Sequence, residues 1–270
     1  MSTTASLAAL EDELAALERV VVAFSGGADS AFLAKVAHDT LGPDRALVAT
    51  AISPSLAPAE EADCRALAEE WGLRWVGVPT NEMDDPHYIA NDTDRCARCK
   101  TALMEALTPM AAAESATVVL GVNLDDLSDH RPGQRAASEL GARFPLVNAG
   151  FDKAAVREWS RRLGLRTWDK PAAACLSSRI PYGTPVTLGS LRSIADAEAA
   201  LGALGFAQLR VRHHGSVARI EVDVEALGDV LARRTEVLDA VRSAGYVYVT
   251  LDLAGFRSGS MNETLGEGDR

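Results

Sequence analysis

The sequence contains the segment Arg19-Val-Val-Val-Ala-Phe-Ser-Gly-Gly-Ala-Asp-Ser30, from which the architecture of the chain can be predicted. Residues 20–24 form a continuous apolar run rich in valine, which is typical of a strand buried on both faces. The run ends at Ser25-Gly-Gly27, and a helical pattern follows from Ala31 to Leu41. Glycines let the backbone approach a ligand closely, and a helix N-terminus directs N–H groups toward it. A strand, a glycine loop and a helix in this order predict an anion-binding site.

The same alternation of strand and helix continues to about residue 163. The pattern predicts further strands at 46–52, 73–78 and 117–122 and further helices at 7–17, 58–71, 100–113 and 153–163. Strands that alternate with helices favour parallel pairing, because each helix carries the chain back across the sheet. We therefore predict an α/β fold with a doubly wound, mostly parallel sheet.

The pattern changes at the turn-rich stretch Pro181-Tyr-Gly-Thr-Pro185. Beyond it the sequence predicts helices at 188–204 and 225–243 and strands at 207–212, 217–222 and 246–253. These elements would form a smaller α+β unit. We predict two domains: residues 1–184 carry the glycine loop, and residues 185–270 serve substrate binding or oligomerisation.

Composition and charge exclude several classes of protein. The 270 residues carry 27 Lys and Arg against 38 Asp and Glu, a net charge of −11, which argues against a broad surface for nucleic acid. No apolar run reaches the roughly 18–20 residues of a membrane span. The first residues lack the basic region of a signal peptide, and four cysteines in so long a chain do not form a disulfide scaffold. We expect a cytoplasmic protein without a nucleic-acid or membrane partner.

The loop Ser25-Gly-Gly-Ala-Asp-Ser30 resembles the SGGxDS signature of the PP-loop ATP pyrophosphatases, and it is neither a Walker A loop nor GxGxxG. The alternative is a tight turn with Asp29 or Ser30 as helix N-cap. The resemblance implies that ATP is split between its α and β phosphates and that a substrate oxygen receives AMP. The implied ATP-binding residues are Ser25, Gly26, Gly27, Asp29, Ser30, Ser53, Gly121 and Asp126.

Cys175 stands in the distinctive segment Trp168-Asp-Lys-Pro-Ala-Ala-Ala-Cys-Leu-Ser-Ser-Arg179. A nearby cation favours the thiolate, which is the nucleophilic form of cysteine. The donors of Ser178 and Arg179 suit a phosphate or a carboxylate. The alternative is a buried cysteine that acts as a small apolar residue. In a chain with an adenylylating loop, we favour attack of the Cys175 thiol on an acyl adenylate.

The loop and residues 168–185 around Cys175 together resemble the LarE family of sulfur transferases, and the resemblance extends over nearly the whole chain. The resemblance implies that ATP and Mg²⁺ adenylylate a carboxylate of pyridinium-3,5-biscarboxylic acid mononucleotide, a small-molecule nucleotide. Cys175 would then form a thioester and lose its sulfur, leaving dehydroalanine and a thiocarboxylate for the nickel-pincer nucleotide cofactor. The resemblance also implies a homo-oligomer that hands its product to a nickel-inserting step.

The pair Cys96 and Cys99 complicates the source of the sulfur. We place this C-x-x-C just before a helix, where two thiols could bind one metal or form a redox disulfide. With Cys175 they make three thiols, which could hold a [4Fe–4S] cluster with one open iron, as is thought for some LarE relatives. A sacrificial cysteine and a cluster-bound sulfide both stay open as sulfur donors. Cys64, on a predicted helix, is expected to be structural.

Carboxylates follow the predicted strand at 117–122, where a doubly wound sheet binds its ligand. Asp125 and Asp126 there are candidate Mg²⁺ ligands, since Mg²⁺ prefers oxygen, and helix capping is the alternative role. Glu198 and Glu221, in the second predicted domain, match acidic positions of the LarE family and are further candidates.

Arg210 and Arg212 are two residues apart on a predicted strand and so share one face of it. The LarE resemblance implies that they bind the phosphate of the nucleotide substrate together with Ser178 and Arg179. The alternative is a solvated strand face paired with Glu221. Other functions considered are a tRNA thiolase or an amide-forming ligase with the same loop, and a nucleotide-binding regulator without catalysis.

Overall fold

The computed structural model describes residues 5–127, 132–171 and 174–257. Residues 1–4 of the first predicted domain, residues 128–131, residues 172–173 before Cys175, and residues 258–270 of the second predicted domain lie outside the described residues. Two compact units are present: the first unit is 1–53, 60–82 and 94–173, and the second unit is 54–59, 83–93 and 174–270. No helix in the described ranges is long and apolar enough to cross a membrane.

The first unit contains a four-stranded parallel sheet. Its strands are β1 (Val20–Ala23), β2 (Ala46–Ile52), β3 (Arg74–Pro79) and β4 (Thr117–Leu120), in the order β3-β2-β1-β4. In the register of the sheet, Val22 of β1 pairs with Val48 on one side and Val119 on the other. The chain steps outward from β1 to β3 and then returns to the far side of β1, so the strand order reverses between β1 and β4. Ligands bind at such a switch point.

Helices cover both faces of this sheet. They are α1 (Leu7–Leu17), α2 (Ala28–Leu41), α3 (Pro58–Trp71), α5 (Arg95–Ala113), α6 (Leu124–Leu127), α7 (Pro132–Glu139), α8 (Pro145–Asn148) and α9 (Lys153–Arg162). Because side chains alternate along a strand, Val20 and Val22 pack with Leu33 of α2, whereas Val21 packs on the opposite face with Leu107 of α5. These observations confirm the predicted α/β fold with a doubly wound parallel sheet.

The second unit contains a three-stranded mixed sheet, with β6 (Val217–Val222) between β5 (Leu209–His214) and β7 (Tyr248–Leu251). The β5–β6 pair is antiparallel and the β6–β7 pair is parallel. Its helices are α4 (Pro86–Ala90), α10 (Leu188–Ala203), α11 (Leu227–Ala232) and α12 (Arg234–Ser243). The core includes Leu201 of α10, Val211 of β5 and Val241 of α12. A capping box between Thr187 and Ser190 fixes the start of α10.

Several predicted elements differ from the observed ones. The helix predicted at 100–113 begins at Arg95, so the C-x-x-C pair lies in its first turn rather than before it. The helix predicted at 225–243 divides at Arg233 into α11 and α12, after a 3-10 turn at Val224–Ala226. Helices α4, α6, α7 and α8 were not predicted, because helices of four to eight residues are too short to show a full apolar period.

The predicted boundary between residues 184 and 185 differs from the division of the compact units. That division follows Ala173 and places residues 54–59 and 83–93 with the second unit. One reason is that the buried Asn91 side chain donates to the carbonyl oxygens of Pro181 and Thr184, both at 2.8 Å. Contacts of this kind join chain segments far apart in sequence.

Candidate active site

The glycine loop links β1 to the first turn of α2. The Ser25 N–H donates to Ser30 Oγ at 3.2 Å, and the Ser30 hydroxyl donates to the carbonyl of Gly27 at 3.1 Å. Helix α2 begins at Ala28, with Gly27 as N-cap and no side chain capping it. Hydrogen bonds of Ser25 and Ser30 therefore hold the loop together, and no side chain caps the N-terminus of α2. An uncapped helix N-terminus suits an anion such as phosphate.

Two glycines at this site occupy positions where a side chain would not fit. Gly26 has φ +68°, and a Cβ placed on it would lie 2.9 Å from Cys64 Sγ. A Cβ on Gly121, just after β4, would lie 2.8 Å from the backbone nitrogen of Ser30. Gly26 therefore permits the turn of the loop, and Gly121 lets the end of β4 pack directly against α2.

Two acidic residues, the half-buried Asp29 of the loop and the buried Asp126, lie at the switch point. The Asn123 side chain donates to Asp29 Oδ1 at 3.1 Å, and its Oδ1 accepts the N–H of Asp126 at 3.2 Å. Burial raises the pKa of Asp29, the Asn123 hydrogen bond opposes this, and the nearby charge of Asp126 raises it further. Asn123 thus bonds to the Asp29 carboxylate through its side chain and to Asp126 Oδ2 through its backbone N–H, at 3.3 Å. Two neighbouring carboxylates suit a divalent cation with oxygen ligands, such as Mg²⁺. Asn123, which joins them, was not singled out from the sequence.

The two predicted metal ligands have different surroundings. Asp126 Oδ1 lies 3.5 Å from Lys153 Nζ, and the charge of Asp126 acts on Asp29. Asp125 Oδ2 accepts the N–H of Lys153, the first residue of α9, at 2.9 Å. This contact matches the helix-capping alternative for Asp125 and leaves Asp29 and Asp126 as the pair that could hold Mg²⁺. Ser53 follows β2 at the same edge of the sheet.

A half-buried cation, Lys170, also approaches the loop. Lys170 Nζ donates to Glu60 Oε2 at 2.8 Å and to Asp63 Oδ2 at 2.7 Å, and Asp63 also accepts from Arg166 at 2.7 Å. Nζ lies 3.7 Å from the position of a Cβ on Gly26. Burial alone would lower the pKa of Lys170, but the two carboxylates outweigh it and raise the pKa. Lys170 stands in the conspicuous segment 168–179, yet its position at the loop was not predicted.

In the second unit, Cys175 precedes a single 3-10 turn, Leu176–Arg179, and is half-buried. We name residues 174–184 the cysteine segment. The Tyr88 hydroxyl and Ser177 Oγ form a buried hydrogen bond of 2.7 Å, and the Leu176 N–H donates to the carbonyl of Ser55 at 2.8 Å. The segment is thus anchored from residues 54–59 and 83–93, neither of which was predicted to contribute to the site.

The Arg179 guanidinium is directed toward protein groups. It is 4% exposed, and its Nε and Nη2 donate to both carboxylate oxygens of Glu198 at 3.0 and 3.1 Å. Its Nη1 donates to the carbonyls of Ala174 at 2.6 Å and Cys175 at 3.0 Å. These contacts are those of a residue that positions Cys175, whereas phosphate binding by Arg179 stays a prediction.

Arg212 and Glu221 form a buried ion pair on neighbouring strands. Arg212 Nε and Nη2 donate to Glu221 Oε2 at 3.0 and 2.7 Å, and the two residues are 5% and 0% exposed. Arg212 Nη1 also donates to the carbonyl of Ser178 at 3.2 Å. The pairing of Arg212 with Glu221 matches one part of the alternative, whereas the burial of both residues contradicts its other part, a solvated strand face. Arg210, on the same face of β5, lies over the ring of Phe256 at 5.2 Å.

The pair Cys96 and Cys99 lies one helical turn apart in α5, with Cys96 exposed and Cys99 half-buried. Residues three apart on a helix are neighbours, so these thiols could bind one metal ion. Over residues 5–127, 132–171 and 174–257 there is no group of three or more His, Cys, Asp or Glu side chains that could hold a metal. Among the described residues, the support for a three-cysteine cluster is therefore limited to the neighbouring thiols of Cys96 and Cys99. Cys64 is fully buried in the apolar core, as predicted.

Comparison with known proteins identifies the family. Residues 4–103, which include the glycine loop, match the NAD synthase family model. The chain is 45% identical over 252 residues to an uncharacterized protein of Synechocystis sp., covering 92% of this chain and 94% of that protein. It is 41% identical over 260 residues to pyridinium-3,5-bisthiocarboxylic acid mononucleotide synthase of Lactiplantibacillus plantarum, covering 96% and 93%. A protein of Methanocaldococcus jannaschii is 24% identical over 242 residues. The resemblance seen in the loop and the cysteine segment is thereby confirmed, and the chain belongs to the LarE family, that of pyridinium-3,5-bisthiocarboxylic acid mononucleotide synthase.

Proposed function

We propose that this protein is an ATP-dependent sulfur transferase. Its substrate is pyridinium-3,5-biscarboxylic acid mononucleotide, one carboxylate of which becomes a thiocarboxylate on the way to the nickel-pincer nucleotide cofactor. The observation that carries the proposal is the uncapped first turn of α2 at the sheet's switch point, with Asp29, Asn123 and Asp126 beside it. The 41% identity to the named synthase supports the choice of substrate.

The first step is adenylylation. The loop Ser25–Ser30 binds the phosphates of ATP, and Lys170, which is paired with Glu60 and Asp63, lies near Gly26. A carboxylate oxygen of the substrate attacks the α-phosphorus, the bond to the β-phosphate breaks, and pyrophosphate leaves from the loop. Mg²⁺ held by Asp29 and Asp126 would supply charge neutralisation for the phosphates.

The second step transfers sulfur. The Cys175 thiolate attacks the carbonyl carbon of the acyl adenylate, a C–S bond forms, and AMP leaves. Arg210 and Arg212, which share one face of β5, would bind the phosphate of the nucleotide substrate. Arg212 would exchange a contact with Glu221 or with the Ser178 carbonyl to do so. Cleavage of the Cβ–S bond of Cys175 then releases the thiocarboxylate. We further propose that the enzyme acts as a homo-oligomer and passes its product to a nickel-inserting step.

Sulfur donation by Cys175 competes with donation by a sulfide on a [4Fe–4S] cluster. We favour Cys175 because its backbone is held by a buried guanidinium at Ala174 and Cys175, which suits chemistry at that residue. Cys96, by contrast, is exposed on a helix. The cluster route would need Cys96 and Cys99 as well as Cys175.

The proposal is tested with the purified full chain, ATP, Mg²⁺ and the biscarboxylate nucleotide. Wild type should release pyrophosphate and AMP and form thiocarboxylate, whereas Cys175→Ala should form pyrophosphate and AMP without thiocarboxylate. Cys96→Ala is the matched control and should behave as wild type. No pyrophosphate from wild type would contradict the adenylylation. Sulfur transfer by Cys175→Ala would remove Cys175 from the mechanism, and loss of transfer in Cys96→Ala would favour the cluster.

A further inference from the structure

We infer that the main-chain carbonyl oxygen of Cys175 lies in an oxyanion hole that stabilises the enolate formed when residue 175 gives up its sulfur. The inference rests on the proposed function, in which the Cβ–S bond of the Cys175 thioester is broken. It assigns Ser178 and Arg179 to the elimination step. The adenylylation and thioester steps described above give these two residues no role.

Three donors converge on this one oxygen. The Ser178 hydroxyl donates at 2.7 Å, the Ser178 N–H at 3.0 Å and Arg179 Nη1 at 3.0 Å. Donors at such distances from an oxygen that acquires negative charge are the geometric signature of an oxyanion hole. A carbonyl oxygen in an ordinary turn needs a single donor, so the carbonyl of Cys175 is unusually well supplied.

The buried guanidinium is the decisive member of the three. A 3-10 turn by itself brings the N–H of residue 178 onto the carbonyl of residue 175. It does not require a cation that is 4% exposed. Arg179 Nη1 also donates to Ser178 Oγ at 3.0 Å, which polarises the hydroxyl that donates to the same carbonyl. The charge of Arg179 therefore acts on the oxygen both directly and through Ser178.

The guanidinium is itself held in place. Both oxygens of Glu198 accept from Arg179, and Glu198 Oε1 also accepts the N–H of Val211 in β5 at 2.9 Å. Arg179 Nη1 contacts the carbonyls on both sides of the Cys175 Cα, those of Ala174 and Cys175. Arg179 thus connects the backbone on both sides of the Cys175 Cα to Glu198, which is itself bonded to β5.

The step balances without any oxidant or reductant. A base from solvent removes the proton from the Cα of residue 175, and the electron pair delocalises onto the carbonyl oxygen as an enolate. That pair then forms the Cα=Cβ bond while the Cβ–S bond breaks. The sulfur leaves with its bonding electrons as the thiocarboxylate of the substrate, and residue 175 is left as dehydroalanine. Donors to the carbonyl oxygen stabilise the enolate and so speed the removal of the proton.

Ser178→Ala removes one donor and leaves the N–H and the guanidinium in place. Loss of one oxyanion donor slows catalysis by roughly 10²–10³ in proteases, and with two donors remaining we expect at least about tenfold slower elimination here. The matched control is Ser243→Ala, since the Ser243 hydroxyl donates to the carbonyl of Ala240 at 2.7 Å with the same spacing of three residues. The readout is the first-order decay of thioester adduct already formed, followed by intact mass. Decay in Ser178→Ala as fast as in wild type would overturn the inference.

A second experiment needs no substrate and separates this inference from the proposed function. Cyanylation of the folded protein converts Cys175 and Cys96 to S-cyanocysteine, which either eliminates thiocyanate to give dehydroalanine or cleaves the chain. We expect the ratio of elimination to cleavage at residue 175 to exceed that at residue 96 by about tenfold or more. Ser178→Ala should lower the ratio at residue 175, and unfolding in urea should make the two residues alike. Equal ratios in the folded protein would refute the oxyanion hole, whatever the enzyme's activity with ATP.

Discussion

Replacing Gly26 with alanine should damage the glycine loop in two separable ways. Gly26 has φ +68°, a left-handed conformation that costs an L-residue about 1–2 kcal/mol. In addition, the new Cβ would lie 2.9 Å from Cys64 Sγ, where ordinary contact begins at 3.4 Å. Such overpacking in a closely packed region costs about 1–3 kcal/mol. The sum is a loss of roughly 2–5 kcal/mol in the free energy of unfolding of the first unit.

Two comparison variants separate the contributions. Gly72→Ala is the control for the backbone, because Gly72 has φ +65° but a Cβ there meets no atom within 4 Å. Cys64→Ala removes the sulfur that the new Cβ would overlap. Burial raises the pKa of the Cys64 thiol to about 11, so this replacement removes no charge at neutral pH. In the double variant Gly26→Ala, Cys64→Ala, the cost of Gly26→Ala should fall to about the 1–2 kcal/mol of the Gly72→Ala control.

Urea unfolding followed by tryptophan fluorescence suits this test. All four tryptophans, Trp71, Trp75, Trp159 and Trp168, belong to the first unit, so the fluorescence reports on the unit that carries the loop. Affinity for MgATP, measured by calorimetry, should fall in Gly26→Ala and recover in part in the double variant. Additive effects of the two replacements, or a cost of Gly26→Ala no larger than that of Gly72→Ala, would refute the steric argument.

Three further predictions concern charged and polar groups. Lys170→Met should destabilise the first unit by about 1–2 kcal/mol at pH 7. Burial alone would raise the pKa of Asp63, but Lys170 and a neighbouring arginine lower it. The difference between the urea midpoints of the variant and wild type should therefore fade as the pH drops through that lowered pKa. Asn91→Ala, which loses hydrogen bonds of 2.8 Å to the cysteine segment, should cost about 1–3 kcal/mol and speed the alkylation of Cys175, followed by peptide mapping. Burial and a nearby carboxylate raise the pKa of Asp29, so a proton competes with Mg²⁺ for this carboxylate. The affinity for MgATP should therefore weaken as the pH falls through that pKa. Asp29→Asn should bind MgATP weakly, and its affinity should depend little on pH.

The sequence predicted most accurately the elements in which the pattern of apolar residues itself determines which side chains are buried. The strands at 46–52 and 217–222 and the helix at 58–71 were predicted with their observed bounds. The strand at 217–222 and the helix at 58–71 repeat buried apolar residues at the strand or helix period. The strand at 46–52 is instead a nearly continuous apolar run that is buried on both faces. The prediction of one helix at 225–243 was wrong because the helical pattern of the sequence continues across Arg233, whereas the chain breaks there into two helices.

The candidate site was predicted in part, for a similar reason. The glycine loop and Cys175 carry local motifs, and they were found. Asn123 was missed because its partner Asp29 is 94 residues away, and Tyr88 because its partner Ser177 is 89 residues away. A motif reports on neighbours in sequence, whereas these contacts are created by the fold.

Arg179 shows a different limit of sequence reasoning. A guanidinium beside a cysteine and two serines suits a phosphate, but it suits protein acceptors equally well. Only the structure shows that its donors meet Glu198 and the carbonyls around Cys175. Donor chemistry alone therefore identified the residue without identifying its role.

In the proposed reaction, the sulfur of Cys175 itself enters the product. This claim can be tested by intact-protein mass spectrometry on anaerobically purified protein, before and after addition of ATP, Mg²⁺ and the biscarboxylate nucleotide. We predict that the chain loses the mass of one hydrogen sulfide, mapped to residue 175, for each thiocarboxylate formed. An unchanged chain together with thiolated product would contradict the claim and would point to a sulfide held by Cys96, Cys99 and Cys175.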